Sequence, residues 1–212
     1  MSETGAVIEA TSDASPVASS DAAWIEIAAP LPVARLAAEC RDLEALYRIN
    51  PYLYFKTWRR TGPGTFHAEF RNESNQQDVV LDLRVHDAPG HGFTVEYAQG
   101  LKRRTVFAFE PFDGGSRLTI TDDYEGAPAE ERERRAEEVD KSLPAWGAAL
   151  RVYFLRLKRW SWLPGWRGYT RRLWIPMKPS ARRIVWLLYL ITVVEFFFFL
   201  FVLLIYLLEQ HR

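Results

Sequence analysis

The sequence predicts an α+β protein: a curved antiparallel β-sheet wrapped around a long C-terminal helix, followed by one C-terminal transmembrane helix. Three observations predict it. Between residues 52 and 124, apolar and polar side chains alternate with a period of two, and clusters of Gly, Pro, Asn and Asp separate the runs. From residue 129 to 162 the apolar spacing becomes that of a helix. Residues 184–208 then form a run of 25 residues with one charge, Glu195. A stretch of about 20 apolar residues is enough to cross a hydrocarbon core.

The elements follow in chain order. Residues 1–21 contain Glu3, Glu9, Asp13 and Asp21, no Lys or Arg, and many Ser and Ala. A secretory signal needs a basic start and an apolar stretch, so this segment reads as a disordered tail. Residues 22–28 (AAWIEIA) form a first strand. Pro30 and Pro32 open a helical region over 33–48, with Leu36, Ala37, Cys40, Leu43 and Tyr47 on its apolar side, and Asn50-Pro51 stops it. Six strands follow at 52–60, 65–72, 78–86, 93–98, 103–111 and 117–124. Their short, turn-rich links make antiparallel hairpins.

The period of two assigns the faces. Val79, Leu81, Leu83 and Val85 share one face, as do Phe93, Val95 and Tyr97, then Thr105, Phe107 and Phe109, then Leu118 and Ile120. So large an apolar face needs a cover. Val139, Leu143, Trp146, Leu150, Tyr153, Leu157 and Trp160 recur at steps of 4 and 3, an unbroken stripe that supplies it. The first turns of that helix (EERERRAEEVDK) are charged and solvated, and Pro144 is expected to kink the helix or reset its start.

Two stretches bring a family into view: WIEIAAPLPVARLAAECRDLEALYRINPY and LPAWGAALRVYFLRLK. The first resembles the opening of the START-like (SRPBCC) superfamily of polyketide cyclases, lipid-transfer proteins and birch-pollen allergens. In that opening a strand leads through an apolar-Pro turn into short helices that end near Asn-Pro. The second is similar to the family's closing helix, with Trp and Gly followed by spaced leucines. The resemblance covers residues 22–160 and implies a helix-grip fold with a cavity between sheet and helix. It further implies binding of an apolar ligand: a lipid, sterol, quinone or polyketide. The membrane tail lies outside the usual family pattern. The family has no fixed catalytic set, so none is carried over.

The strand positions able to face the helix give the cavity candidates Phe55, Phe66, Phe70, Phe93, Tyr97, Phe107 and Phe109, and the helix adds Trp146, Leu150 and Tyr153. Large aromatics line ligand pockets and also fill ordinary cores. A ligand cavity here is expected to hold on the order of several hundred Å³.

The net charge of zero is a sum of opposites. Residues 151–183 carry ten Lys/Arg and no acid, whereas residues 1–150 carry 16 basic and 25 acidic residues. A basic block beside a long apolar run binds anionic headgroups, which argues against nucleic acid as a partner. Residues 161–183 therefore read as a collar lying along the membrane surface, through Trp162, Trp166, Arg171, Arg172, Trp174, Arg182 and Arg183 together with Trp160 just before it. The collar continues directly from the helix that closes the cavity, which would hold the cavity mouth near the headgroups. Only Glu209 to Arg212 follow the span. The positive-inside rule puts the N-terminal domain in the cytoplasm and the C-terminus outside. Glu195, near the middle of the span, is an expected contact with a partner helix, since intramembrane acids generally have a role.

Catalytic signals are sparse. One cysteine, Cys40, excludes an internal disulfide and reads as a packed thiol. Four His in no ligand spacing give no metal site, and no phosphate-binding glycine loop occurs, so no cofactor is expected. His67, Glu69 and Asp82 alternate on the polar face of two strands and would do acid–base work only if that face turned inward. Three functions follow: a membrane-tethered binder or carrier of an apolar molecule, an accessory subunit of a membrane complex, and a cyclase-like enzyme.

Overall fold

The structure, a computed structural model, describes residues 22–125 and 129–210, except the side chains of residues 129–141 and 179. The segment 1–21 expected to be disordered, the charged side chains that open the long helix, and Val139 of its stripe lie outside the described residues.

Seven strands form one antiparallel sheet. They are β1 (Ala22–Ala29), β2 (Leu53–Gly62), β3 (Thr65–Asn72), β4 (Gln77–Asp87), β5 (Phe93–Tyr97), β6 (Arg104–Phe112) and β7 (Gly115–Asp123), in the order β1-β7-β6-β5-β4-β3-β2. Each strand from β2 to β7 pairs with its neighbour in sequence. That is the cheapest arrangement for short hairpin links. At the β6–β7 turn, Asp113 and Gly114 both have positive φ, 34° and 71°, the conformation that a tight hairpin requires. The first strand closes the far side by pairing with β7, from Ala22 opposite Asp123 to Ala29 opposite Ser116.

The helical region 33–48 is two helices rather than one: α1 (Val33–Cys40) and α2 (Leu43–Arg48). The break falls at Asp42, whose carboxylate accepts the backbone N–H of Ala45 at 3.3 Å and caps α2. The long helix α3 (Ala129–Trp160) runs through Pro144 without restarting there, so of the two expectations, a kink or a reset start, the reset does not occur. Its Leu143, Trp146, Leu150 and Leu157 are buried, and so is Phe154, one position off the stripe.

The core lies between the sheet and these helices. Phe93, Val95, Phe107, Leu118 and Ile120 are fully enclosed, as the strand parity required. The Trp146 indole N–H donates to the Leu46 carbonyl at 3.0 Å, which pins α3 to α2. Gly147 lets α3 approach β1: a Cβ there would meet Ile25 Cδ1 at 2.4 Å.

After α3, the chain turns at Gly165 (φ 82°) into α4 (Trp166–Tyr169), which continues as a π-helical turn, Thr170–Trp174. The last element is α5 (Pro179–Gln210), of which Ser180–Gln210 is long and apolar enough to cross a membrane. None of its large apolar side chains is buried, from Ile184 to Leu208. At 1.5 Å per residue a helix of this length exceeds the roughly 30 Å hydrocarbon core.

Candidate functional site

A cavity of about 180 Å³ opens between the sheet, α2 and α3. Its wall is apolar: Phe55 and Trp58 from β2, Phe70 from β3, Leu81 and Leu83 from β4, and Trp146 from α3. Asn72, Gln99, Gly100 and Leu101 form the rim. Of the residues that sequence parity nominated, Phe55, Phe70, Tyr97 and Trp146 line this cavity. Phe93, Phe107, Phe109 and Leu150 sit in closed core instead. Phe66 packs against Trp58 at 5.7 Å between ring centroids, and Tyr153 lines a separate cavity on the outer side of α3.

The cavity is smaller than the several hundred Å³ expected. Aromatic packing explains the difference. Phe93 and Phe107 stack at 4.5 Å, Phe107 meets Trp146 edge-on at 6.1 Å, and Tyr47 lies 5.3 Å from Trp146. These rings pack the β5–β6 side of the space between sheet and helix, and most of the cavity wall comes from β2 to β4.

One end of the cavity is polar. Tyr47, Tyr97, Lys102 and Tyr124 all contribute to its lining. They join a chain of hydrogen bonds: Tyr47 Oη to Tyr97 Oη at 2.6 Å, Tyr97 Oη to Thr105 Oγ1 at 2.8 Å, and Thr105 Oγ1 to Asp122 Oδ1 at 2.6 Å. Lys102 Nζ pairs with Asp122 Oδ2, and the Tyr124 hydroxyl reaches the same oxygen at 3.5 Å. Asp122 is wholly buried. A carboxylate only accepts, so Thr105 donates to it, Tyr97 to Thr105, and Tyr47 to Tyr97. The direction of every proton in the chain is set by one buried charge.

Burial raises the pKa of Tyr97 and Tyr47 above the ordinary value of 10.0, and the neighbouring hydroxyl raises Tyr47 further. Tyr124 is raised for the same reason, burial first and the Asp122 charge after it. For Lys102, burial acts downward but Asp122, Tyr124 and Tyr97 outweigh it, so the ammonium is held above its usual range. Its side chain is 32% exposed, so one face of it is presented to the cavity and rim. An ammonium has three protons, and Asp122 takes one. Lys102 therefore keeps N–H protons for a ligand oxygen, while the tyrosine hydroxyl protons are already committed within the network.

Sequence reasoning placed the polar groups elsewhere. His67, Glu69 and Asp82 lie on the opposite face of the sheet from the cavity. His67 Nδ1 is 2.8 Å from Asp82 and Nε2 is 3.4 Å from Glu69, a cross-strand cluster open to solvent. Acid–base work inside the cavity by these three is excluded, because Ala68 and Phe70 hold the inward parity of β3. The signal for the true polar end was available in one place: Asp122 falls on the same parity as Leu118 and Ile120. Lys102 follows an exposed turn and carried no signal.

The collar is docked on the domain. The buried Glu39 of α1 accepts Arg171 at 3.1 Å and also pairs with Arg167. Arg171 reaches Asp42 as well, at 3.5 Å. Arg182 donates to the Arg48 carbonyl at 3.0 Å and to the Ile175 carbonyl. Trp160, Trp162, Arg172 and Arg183 stay exposed, and Trp166 and Trp174 are half-buried. Among the described residues, no hydrogen bond or ion pair joins the cavity rim to the collar. The link runs through adjacent residues of the α2–β2 connection: Asn50 lines the cavity, and Ile49 lines the separate one beside the collar. Cys40 is buried as a packed thiol, and burial pushes its pKa up.

Comparison with solved structures identifies the fold. The chain superposes on the ZhuI aromatase/cyclase from Streptomyces sp. R1128 with a TM-score of 0.54 at 13% identity, over 66% of this chain and 96% of that one. A START superfamily protein from Mycobacterium smegmatis aligns with a TM-score of 0.49 at 19% identity, over 64% of this chain and 97% of that one. The sheet and α3 thus share the helix-grip fold of that aromatase/cyclase, with a long apolar helix appended. No protein-family model matches the chain, and no curated protein matches it.

Proposed function

We propose that this protein is a membrane-anchored binder of an apolar, ring-containing molecule bearing an oxygen function, of the quinone, sterol or aromatic polyketide kind. The observation that carries the reading is the cavity of about 180 Å³ with aromatic walls and a single polar end of Tyr97, Lys102 and Tyr124. A dry cavity of roughly 150 Å³ accommodates a benzene-sized molecule. The space therefore fits a ring, with any tail leaving past Gln99 and Leu101. A ligand oxygen on Lys102 satisfies donors that would otherwise face apolar surroundings. The exposed apolar surface of α5 supports insertion in a bilayer, with the domain on the cytoplasmic side by the charge asymmetry. The test is extraction of the full chain in mild detergent, followed by mass spectrometry of the small molecules it retains. An oxygenated ring compound, lost in the variant Lys102→Met, is the expected result. A chain that retains none, and binds no added quinone or sterol, would refute the reading.

One observation favours a role beside other membrane proteins. Glu195 stands exposed on α5, with no hydrogen bond or ion pair among the described residues. A carboxyl at that depth is costly without a partner. Co-purification of the full chain and its variant Glu195→Leu decides this: unchanged partners and oligomeric state would remove it.

A further inference from the structure

The cavity on the outer side of α3 differs in character from the one inside the grip. It has a volume of about 330 Å³ and lies between α3, the collar and the first turns of α5. Trp160, Trp174, Trp186 and Tyr153 supply aromatic walls, and Arg156 and Arg182 supply the charge. Among the described residues no Asp or Glu lines it. Among the described residues Arg156 has no hydrogen bond or ion pair. Arg182 uses Nη2 on two backbone carbonyls, while its Nε–H is buried with no hydrogen-bond partner. Burial lowers the pKa of Arg182, and the nearby Arg48 lowers it further. Two guanidinium groups thus share one cavity with no carboxylate among its described lining, a donor set that suits an anion.

The position selects the anion. Trp186 lies in the third turn of α5, where the chain enters the expected span, so this cavity sits at headgroup level with its aromatic side toward the acyl region. We propose that it is a discrete site for an anionic phospholipid, in which Arg156 and Arg182 hold the phosphate and the tryptophans flank the glycerol and first acyl carbons. The inference rests on the reading that α5 spans a bilayer. It goes further in assigning one defined lipid to one built site. A guanidinium presents paired donors to phosphate oxygens, and Nη1 of Arg182 makes no hydrogen bond among the described residues.

The test uses the full chain in a mild nonionic detergent and native mass spectrometry with added dioleoyl-phosphatidylglycerol. One lipid per chain is expected, retained better than dioleoyl-phosphatidylcholine, whose headgroup carries no net charge. The variant Arg156→Glu should weaken retention about tenfold or more, because it replaces a charge-assisted contact by repulsion. Arg156 is exposed and has no partner among the described residues, so thermal unfolding of the variant should stay unchanged and a folding defect is separable. Arg156→Lys should restore part of the retention. Equal retention by wild type and Arg156→Glu would overturn the proposal. Displacement of the lipid by millimolar inorganic phosphate would overturn it as well, by assigning the site to the free anion. Alkaline carbonate extraction of native membranes reports on the anchor separately: release of the chain would refute the span, whatever the lipid binding in detergent shows.

Discussion

Tyr97 and Asp122 lie two strands apart and are joined through one hydroxyl, Thr105 Oγ1, at 2.8 and 2.6 Å. The pairing register makes this possible. Thr105 on β6 stands directly opposite Asp122 on β7 and, on its other side, opposite Val95 of β5. A buried carboxylate thereby orders the phenol that faces the ligand cavity.

Asp122→Asn should remove the charge that Lys102 and Thr105 address, leaving an ammonium partly buried without a partner. We expect a loss of about 2–3 kcal/mol in stability. Tyr97→Phe deletes one hydroxyl from the middle of the chain and should cost about 1–2 kcal/mol. Thermal and denaturant unfolding of the full chain in detergent, followed by near-UV circular dichroism, checks both. Equal stability of Asp122→Asn and wild type would show that the network contributes nothing to the fold.

Ligand affinity should vary little between about pH 6 and 9. Tyr97 and Lys102 are both held above their ordinary values of 10.0 and 10.5, so each keeps its proton over that window. Titration of a retained quinone or sterol analogue across the window measures this, and a midpoint near neutrality would assign binding to another group.

The outer face carries a pH dependence of its own. The hydrogen bond to Asp82, then that to Glu69, raises His67 above its ordinary 6.5. That contribution is fully present below 6.5 and is lost as the pH rises through the higher folded value. The hydrogen bond from His67 lowers Asp82 below 3.8, so its contribution is present above 3.8 and is lost as the pH falls through the lower folded value. The melting-temperature gap between wild type and His67→Thr should therefore be widest between the ordinary values of Asp82 and His67 and narrow as the pH rises above 6.5. A gap that grows with pH would contradict the pairing.

Glu39→Gln should loosen the collar more than the domain. The arginines it holds are about half-exposed, 51% for Arg167 and 41% for Arg171, and so tolerate losing it. Amide exchange over residues 166–178 should quicken by on the order of tenfold, with little change over the strands. Unaltered exchange there would mean that the collar is held by its other contacts, the buried Ile175 and Thr170 and the pairing of Arg171 with Asp42.

Gly147 separates propensity from packing. Alanine gains roughly 1 kcal/mol of helix propensity and displaces only the mobile tip of Ile25, so the two effects nearly cancel. Valine adds a branched side chain against β1 and should destabilise by about 2 kcal/mol or more. The pair of melting curves reads this directly.

The sequence by itself determined the class of fold. Parity along the strands put Phe93, Val95, Phe107, Leu118 and Ile120 inside, and the stripe from Leu143 to Leu157 required a helix over them. A period of two or of 3.6 is a local property, so it survives without tertiary information. The apolar run of α5 was equally legible, because length and composition alone mark a helix that is apolar all round. What the tertiary structure alone decided was which interior residues touch open space. Phe70 and Phe93 have the same parity and chemistry, yet one lines the cavity and the other is stacked in core. The difference lies in how far α3 and the Phe107 ring reach across the sheet. The polar end was also a tertiary decision: Tyr47, Tyr97, Lys102 and Asp122 come from four separate segments, and only the register of β5, β6 and β7 brings them within hydrogen-bond distance. The collar shows the same limit. Its arginines read as a membrane belt, but the fold places Glu39 beneath two of them, and a charge partner 128 residues away has no local signature.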